Sequence, residues 1–322
     1  MKVKTIGVLT SGGDAPGMNA AVRSVVRTAI AKGLNVVGIN HGYNGLINGN
    51  ITPMNLRSVC EIIHRGGTVL YTARCLEFKT EEGMQKAICT CKDNNIDGIV
   101  VIGGDGSFRG ARDLSLRGIP CIALPGTIDN DIACSDYTIG FDTAVNTSME
   151  MVDRLRDTAQ SHERCTIVEV MGRNSGHLAL HTGVAVGATA IIVAEVAYDI
   201  ERDIVARMRK TQCLGKKHFI IVVSEGVGHV DQLAKQIEML TGIETRATVL
   251  GHVQRGGSPT VLDRVIASQM GNKAVELLAS GVGNRVIAMK DNHIVDYDIY
   301  EALAMQKTID TDLYRIAHEI SI

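Results

Sequence analysis

Short apolar runs rich in Val and Ile recur along the chain, separated by segments in which apolar residues repeat at helical spacing. Ile6 to Leu9, Val36 to Ile39, Ile99 to Ile102 and Ile119 to Leu124 read as buried strands. So do Thr166 to Val170, Ile191 to Val193, Ile220 to Val223 and Val286 to Met289. The clearest helix runs from about Pro16 to Lys32, with Val22, Val25, Val26, Ala29 and Ile30 on one face. Pro16 suits its first turn and Gly33 its C-terminal cap. A second helix is expected from Thr143 to about Gln160. Strands apolar on both faces, alternating with helices, predict an α/β protein with mostly parallel sheets covered on both sides.

The length, 322 residues, allows about two domains. No repeat or Gly/Ser linker divides them, and a change near Gly140 is the candidate boundary. Lys and Arg total 33 against 35 Asp and Glu, a net charge of −2, which excludes a general nucleic-acid surface and makes any cationic site local. Gly183 to Ala194, the longest uncharged apolar stretch, is short of the roughly 20 residues of a membrane span. The first run, Ile6 to Leu9, is too short for a signal-peptide core. The eight cysteines form no Cys-x-x-Cys pair, so free, mostly buried thiols and a cytoplasmic location are expected. Cys89 and Cys91 have poor spacing for zinc, and His177 and His181 lack the acid of a zincin motif. Glycine, at 34 residues, exceeds its usual ~7% while proline stays at five, which points to tight turns or close backbone approach to a ligand.

In open α/β sheets, ligands bind beyond the carboxyl ends of strands, where helix N-termini present amides. Four such ends are unusual here. Leu9-Thr10-Ser11-Gly12-Gly13-Asp14-Ala15-Pro16-Gly17 suits a phosphate cradle or simply a tight turn. It is neither Gly-x-Gly-x-x-Gly nor a P-loop, and the second strand ends Ile39-Asn40-His41-Gly42 without the acid of an NAD site. Ile102-Gly103-Gly104-Asp105-Gly106-Ser107 sets one carboxylate among glycines, fitting Mg²⁺ beside phosphates or a helix cap. Pro125-Gly126-Thr127-Ile128-Asp129-Asn130-Asp131 holds carboxylates at i,i+2. In an extended segment they would point the same way, raising the pKa of one. Such a carboxylate can take a hydroxyl proton in phosphoryl transfer, and an Asx-rich turn has the same composition. Val170-Met171-Gly172-Arg173-Asn174-Ser175-Gly176 repeats the arrangement with an arginine. Arg164, Arg173, Arg246, His252 and Arg255 could line one anionic pocket.

Together LTSGGDAPGMNA (Leu9 to Ala20), GGDGS (Gly103 to Ser107), PGTIDND (Pro125 to Asp131), Met171-Gly172-Arg173 and GHVQRGGSP (Gly251 to Pro259) resemble the bacterial ATP-dependent phosphofructokinase family. The similarity runs from about Lys4 to Ile322. GGDG alone is shared with NAD, lipid and sugar-phosphate kinases. The resemblance implies two doubly wound, Rossmann-like three-layer domains with the active site in the cleft between them. The larger, ATP-binding domain would be 1–140 plus about 255–304. The smaller, fructose-6-phosphate-binding domain would be 141–254 plus about 305–322. Implied are a homotetramer and transfer of the ATP γ-phosphate to the 1-hydroxyl of fructose 6-phosphate. Gly13, Tyr43, Arg74, Cys75, Gly104, Asp105, Gly106 and Ser107 would hold ATP, with Asp105 on Mg²⁺. Asp129 would be the general base, assisted by Thr127, Asp131, Arg173, Gly13 and Arg74. Thr127, Ile128, Asp129, Met171, Gly172, Arg173, Glu225, His252, Val253, Gln254 and Arg255 would meet the sugar phosphate, with Arg164 and Arg246 reaching in from a neighbouring subunit.

Two further expectations rest on the same resemblance. The pyrophosphate-dependent branch carries Asp and Lys where this chain has Gly106 and Gly126, which favours ATP; pyrophosphate or a related sugar phosphate is the alternative. An effector pocket for ADP or phosphoenolpyruvate would use Arg23, Ser24, Val25, Val26, Arg27, Arg156, Gly187, Lys216, Lys217 and His218. There Leu56, Thr189 and Leu214 replace the usual Arg, Glu and Arg, so a reduced or altered response is expected.

Overall fold

A computed structural model describes residues 3–321. Its strands are β1 (Thr5–Ser11), β2 (Asn35–Ile39), β3 (Ile51–Met54), β4 (Gly98–Gly103), β5 (Cys121–Pro125), β6 (Cys165–Val170), β7 (Ala190–Ile192), β8 (Phe219–Ser224), β9 (Thr245–Val249), β10 (Arg285–Lys290) and β11 (His293–Asp298). Contacts divide the chain into two compact units. Met1–Ile128, Ile132–Thr143 and Arg255–Lys307 form the first; Asp129–Asp131, Ala144–Gln254 and Thr308–Ile322 form the second.

The first unit holds a seven-stranded sheet in the order β11-β10-β5-β4-β1-β2-β3. Its central strands β1, β4 and β5 are buried at every residue, as continuous apolar runs require in a parallel sheet covered on both faces. Only the edge strands β3 and β11 pair antiparallel. The register sets Ser11 opposite Gly103 and Gly103 opposite Pro125. Three of the glycine turns singled out above therefore start in one row. The second unit holds a parallel sheet in the order β7-β8-β6-β9. Val170 lies opposite Ser224 there, which sets the Arg173 turn beside Glu225.

The first helix is Met18–Ala31, and the reading of Pro16 in its first turn is corrected. Gly17 caps it with φ 107°, a left-handed conformation that closes the chain onto Ile139, whose Cγ2 lies 2.7 Å from where a β-carbon would sit. Pro16 is thus outside the helix. Gly33, with φ 73°, does end it, its N–H donating to the Ile30 carbonyl at 2.9 Å. The next predicted helix starts at Phe141 and runs to Ser161. Cys91, Cys121, Cys134 and Cys165 are buried, but Cys60, Cys89 and Cys213 are exposed, so the thiols are free without being mostly buried. Burial pushes the Cys91 thiol up to about 12, which leaves it unreactive. Among the described residues, no helix is long and apolar enough to cross a membrane, and no His/Cys/Asp/Glu group has the form of a metal site.

Candidate active site

In the first unit the turns after β1 and β4 are bonded to each other. Ser107 Oγ donates to the Ser11 carbonyl at 3.1 Å, and Tyr43 Oη donates to the Ser107 carbonyl at 2.6 Å. Thr72 Oγ1 donates to the Gly12 carbonyl at 2.7 Å, which brings the segment carrying Arg74 and Cys75 alongside. Gly13, Gly104 and Asp105 are thereby gathered with exposed Gly106. A β-carbon at Gly106 would meet nothing within 4 Å, and one at Gly104 only Thr127 Cβ, at 3.8 Å. The surface over these amides is open, and it lies at the start of the helix Asp105–Ser115, where the aligned peptide dipoles favour an anion. Two ATP candidates have their side chains engaged within the fold. Tyr43 is buried and stacked on Phe78, with ring centroids 4.0 Å apart. The Ser107 hydroxyl is spent on Ser11. Both support the turn from beneath. Arg74 is exposed and Cys75 packs against the core.

Asp105 is ion-paired with Arg109 one turn on, Oδ2 to Nε 2.9 Å, and stays about half exposed. A single accessible carboxylate beside a phosphate cradle is the donor set Mg²⁺ takes, the remaining ligands being phosphate oxygens and waters. The residues present therefore fit the ion.

Asp129 and Asp131 stand on a turn, and the extended arrangement expected for them is corrected. Asn130 between them has φ 49°, so the chain reverses instead of alternating. Asp129 is buried; its carbonyl accepts the Ser175 hydroxyl at 3.0 Å, and its Oδ2 lies 3.6 Å from Arg173 Nε. Thr127, just before it, is buried with its carbonyl bonded to Thr138 Oγ1 at 2.7 Å, and Ile128 is fully buried.

Arg173 itself sits at φ 55°, after Gly172 at φ 134°. A β-carbon at Gly172 would lie 2.4 Å from the Ser175 carbonyl, so this turn demands glycine. The Arg173 N–H donates to Glu225, tying β6's turn to β8's. Gln254 is wholly buried, accepting from Ser148 Oγ at 3.0 Å and from the Met171 N–H at 3.2 Å. It positions Met171 and is not itself available to a ligand. His252 and Val253 are exposed. Arg164 and Arg246 both pair with Glu244, at 3.6 and 2.7 Å, and so share one surface. Arg255 belongs to the first unit. It lies over Gly13, where a β-carbon would come within 2.5 Å of Nη1, and donates to the Asp14 carbonyl at 3.0 Å.

The effector candidates separate similarly. The side chains of Ser24, Val25 and Val26 are buried, Ser24 donating to the Ser268 carbonyl, which leaves only their backbone to meet a ligand. Arg23 and Arg27 are half-buried and Gly187 is exposed. Arg156 donates to the Val186 carbonyl, and Lys216 Nζ to Thr189 Oγ1 at 3.2 Å. Burial, then the Arg156 charge, holds the Lys216 ammonium below its ordinary pKa; burial, then Lys216 and Arg156, does the same to His218. Lys217 is turned away to Glu163 at 2.7 Å. Leu56 and Leu214 are exposed.

Sequence reasoning missed Arg109, Glu244 and Ser175. Arg109 was readable at i+4 from Asp105, and Glu244 as an opposite charge two residues before Arg246. Nothing local signals Ser175, which reaches Asp129 from 46 residues away.

The family profile described as Phosphofructokinase matches residues 5–278. The chain is 57% identical over 319 residues to the ATP-dependent 6-phosphofructokinase of Clostridium botulinum strain Loch Maree, covering 99% of this chain and 100% of that one. It is 57% identical over 320 residues to the protein of the same name from Bacillus thuringiensis strain Al Hakam, again covering 99% and 100%. Among solved structures, phosphofructokinase from Saccharomyces cerevisiae superposes with a TM-score of 0.88 at 34% identity. That match covers 99% of this chain and 48% of the yeast chain.

Proposed function

The chain belongs to the phosphofructokinase family and is an ATP-dependent kinase of fructose 6-phosphate, and from that premise we propose that Asp129 is the base of the transfer. The observation that carries this is the buried Asp129 carboxylate 3.6 Å from Arg173, on a turn pinned by Ser175. The first unit is then the ATP-binding domain and the second the acceptor-binding domain. Backbone amides from Gly104 to Ser107, with Gly13, take the phosphates, and Arg74 and Cys75 flank the nucleotide. Thr127 addresses the transferring phosphoryl group. Asp129 accepts the proton of the sugar 1-hydroxyl as its oxygen bonds to the γ-phosphorus and ADP leaves, with Asp131 nearby. Arg173, Met171, Glu225 and His252 hold the sugar phosphate, and Arg164 and Arg246 serve a neighbouring subunit of a homotetramer. When bound, Mg²⁺ neutralises charge on the phosphates, and Asp105 would hold it. Most of the rate comes from placing these groups and matching developing charge. The free thiols fit a reducing, cytoplasmic setting.

The test is a coupled ADP-release assay with fructose 6-phosphate, run beside a pyrophosphate-driven assay for fructose 1,6-bisphosphate. Turnover with ATP alone is expected. Turnover only with pyrophosphate would overturn the donor and leave the acceptor standing.

We also propose a weakened effector site. Thr189 gives Lys216 a neutral partner and offers a metal-bound diphosphate no carboxylate. Wild-type rates at low fructose 6-phosphate should change little with Mg-ADP or phosphoenolpyruvate. Thr189→Glu should raise the Mg-ADP response about fivefold. Strong phosphoenolpyruvate inhibition of the wild type would contradict this.

A further inference from the structure

In the second unit, the π-helical turn Ile200–Val205 runs into the helix Ala206–Cys213, which faces the C-terminal helix Thr311–Ile320. A cavity of about 270 Å³ opens there, lined by Arg202, Arg207, Lys210, Thr211, His318 and Ser321. None of these belongs to the catalytic or effector residues above.

Its charge is uneven in an informative way. Arg202 donates to both oxygens of Asp203, at 2.8 and 2.7 Å, and holds that carboxyl down at about 2, so its charge is already met. Arg207 and Lys210 face no carboxylate within ion-pair distance among the described residues. Arg207 instead spans to the C-terminal helix, Nη1 donating to Ser321 Oγ at 2.9 Å and to the His318 carbonyl at 3.3 Å, and Nη2 donating to His318 Nδ1. Because a guanidinium only donates, Nδ1 must accept, and the imidazole proton sits on Nε2. That Nε2–H is buried without a partner. Among the described residues, the wall thus presents two cations, Arg207 and Lys210, without a carboxylate at ion-pair distance, while Asp203 is already engaged by Arg202.

We propose that this cavity binds a small phosphate dianion, either the free ion or a monoester. Its two charges match those of Arg207 and Lys210. The volume, about 270 Å³, suits a small anion.

Hydrogen–deuterium exchange on the full-length protein tests this, with inorganic phosphate, glycerol phosphate and sodium chloride compared at matched ionic strength. Phosphate-dependent protection is expected in peptides covering 199–215 and 308–321. Lys210 is exposed, so Lys210→Met should fold; it should raise the half-saturating concentration about fivefold, the scale of one exposed charge. Turnover should be unchanged. Protection by inorganic phosphate assigns the free ion; protection by glycerol phosphate alone assigns the monoester. Absence of protection with both up to about 20 mM, or equal half-saturation in the variant, overturns the proposal.

Discussion

Asp129→Asn should fold normally and lose about a thousandfold in kcat, with the KM for fructose 6-phosphate changed little. The amide keeps the shape of the carboxylate, and the Ser175 bond to the Asp129 main chain at 3.0 Å is untouched. That amide cannot accept a proton as its neighbour's oxygen attacks. Positioned proton transfer is worth roughly 10²–10⁴-fold, and here it coincides with the transferring bond. Binding of the sugar phosphate draws on the arginines and Glu225, which the substitution leaves in place, so the loss belongs in kcat. The reverse reaction supplies a control. The overall equilibrium cannot change, so ADP and fructose 1,6-bisphosphate must react slower by the same factor once KM values are included. A variant retaining more than about a tenth of wild-type kcat would remove Asp129 from the base role.

What the sequence disclosed follows burial. β1, β4, β5, β6 and β8 are shielded on both faces, so their runs are apolar throughout and stand out. β3, β9 and β11 were not anticipated, and all three are sheet edges with half-exposed residues. Ile-Thr-Pro-Met even carries a proline, tolerable only where no ladder partner needs its N–H. The glycine turns were legible for a different reason. Glycine recurring between strands and helices marks positions where backbone must bend, be bared or be approached closely. Their alignment was not legible, because it depends on register, Ser11 against Gly103 and Gly103 against Pro125. Partner choice was lost in the same way. Arg255 against Asp14 and Ser175 against Asp129 are separated by 241 and 46 positions, and no local pattern encodes them.

Gly106→Asp should lower kcat/KM for ATP by at least about tenfold without lowering stability. The two glycines that favour ATP are not equivalent in the structure. At Gly126 a β-carbon would lie 3.0 Å from Ile102 Cγ2 and 3.1 Å from Met18 Cε, so that glycine is also held by packing, and a lysine there would have to displace core atoms. At Gly106 a β-carbon meets nothing within 4 Å, and the residue lies in the first turn of the helix Asp105–Ser115. An acidic residue in a first turn is favoured by the helix dipole by roughly 0.3–1 kcal/mol, so the variant should melt no lower than wild type. That separation makes the experiment clean. A carboxylate placed over these amides occupies the space of a nucleotide phosphate and repels it, and one misplaced like charge at close range costs at least about 1.4 kcal/mol, a factor of ten. Pyrophosphate, with no further phosphate to collide, should lose less. Measured ATP kinetics within twofold of wild type, with the melting temperature unchanged, would show that the donor lies elsewhere than over the turn after β4.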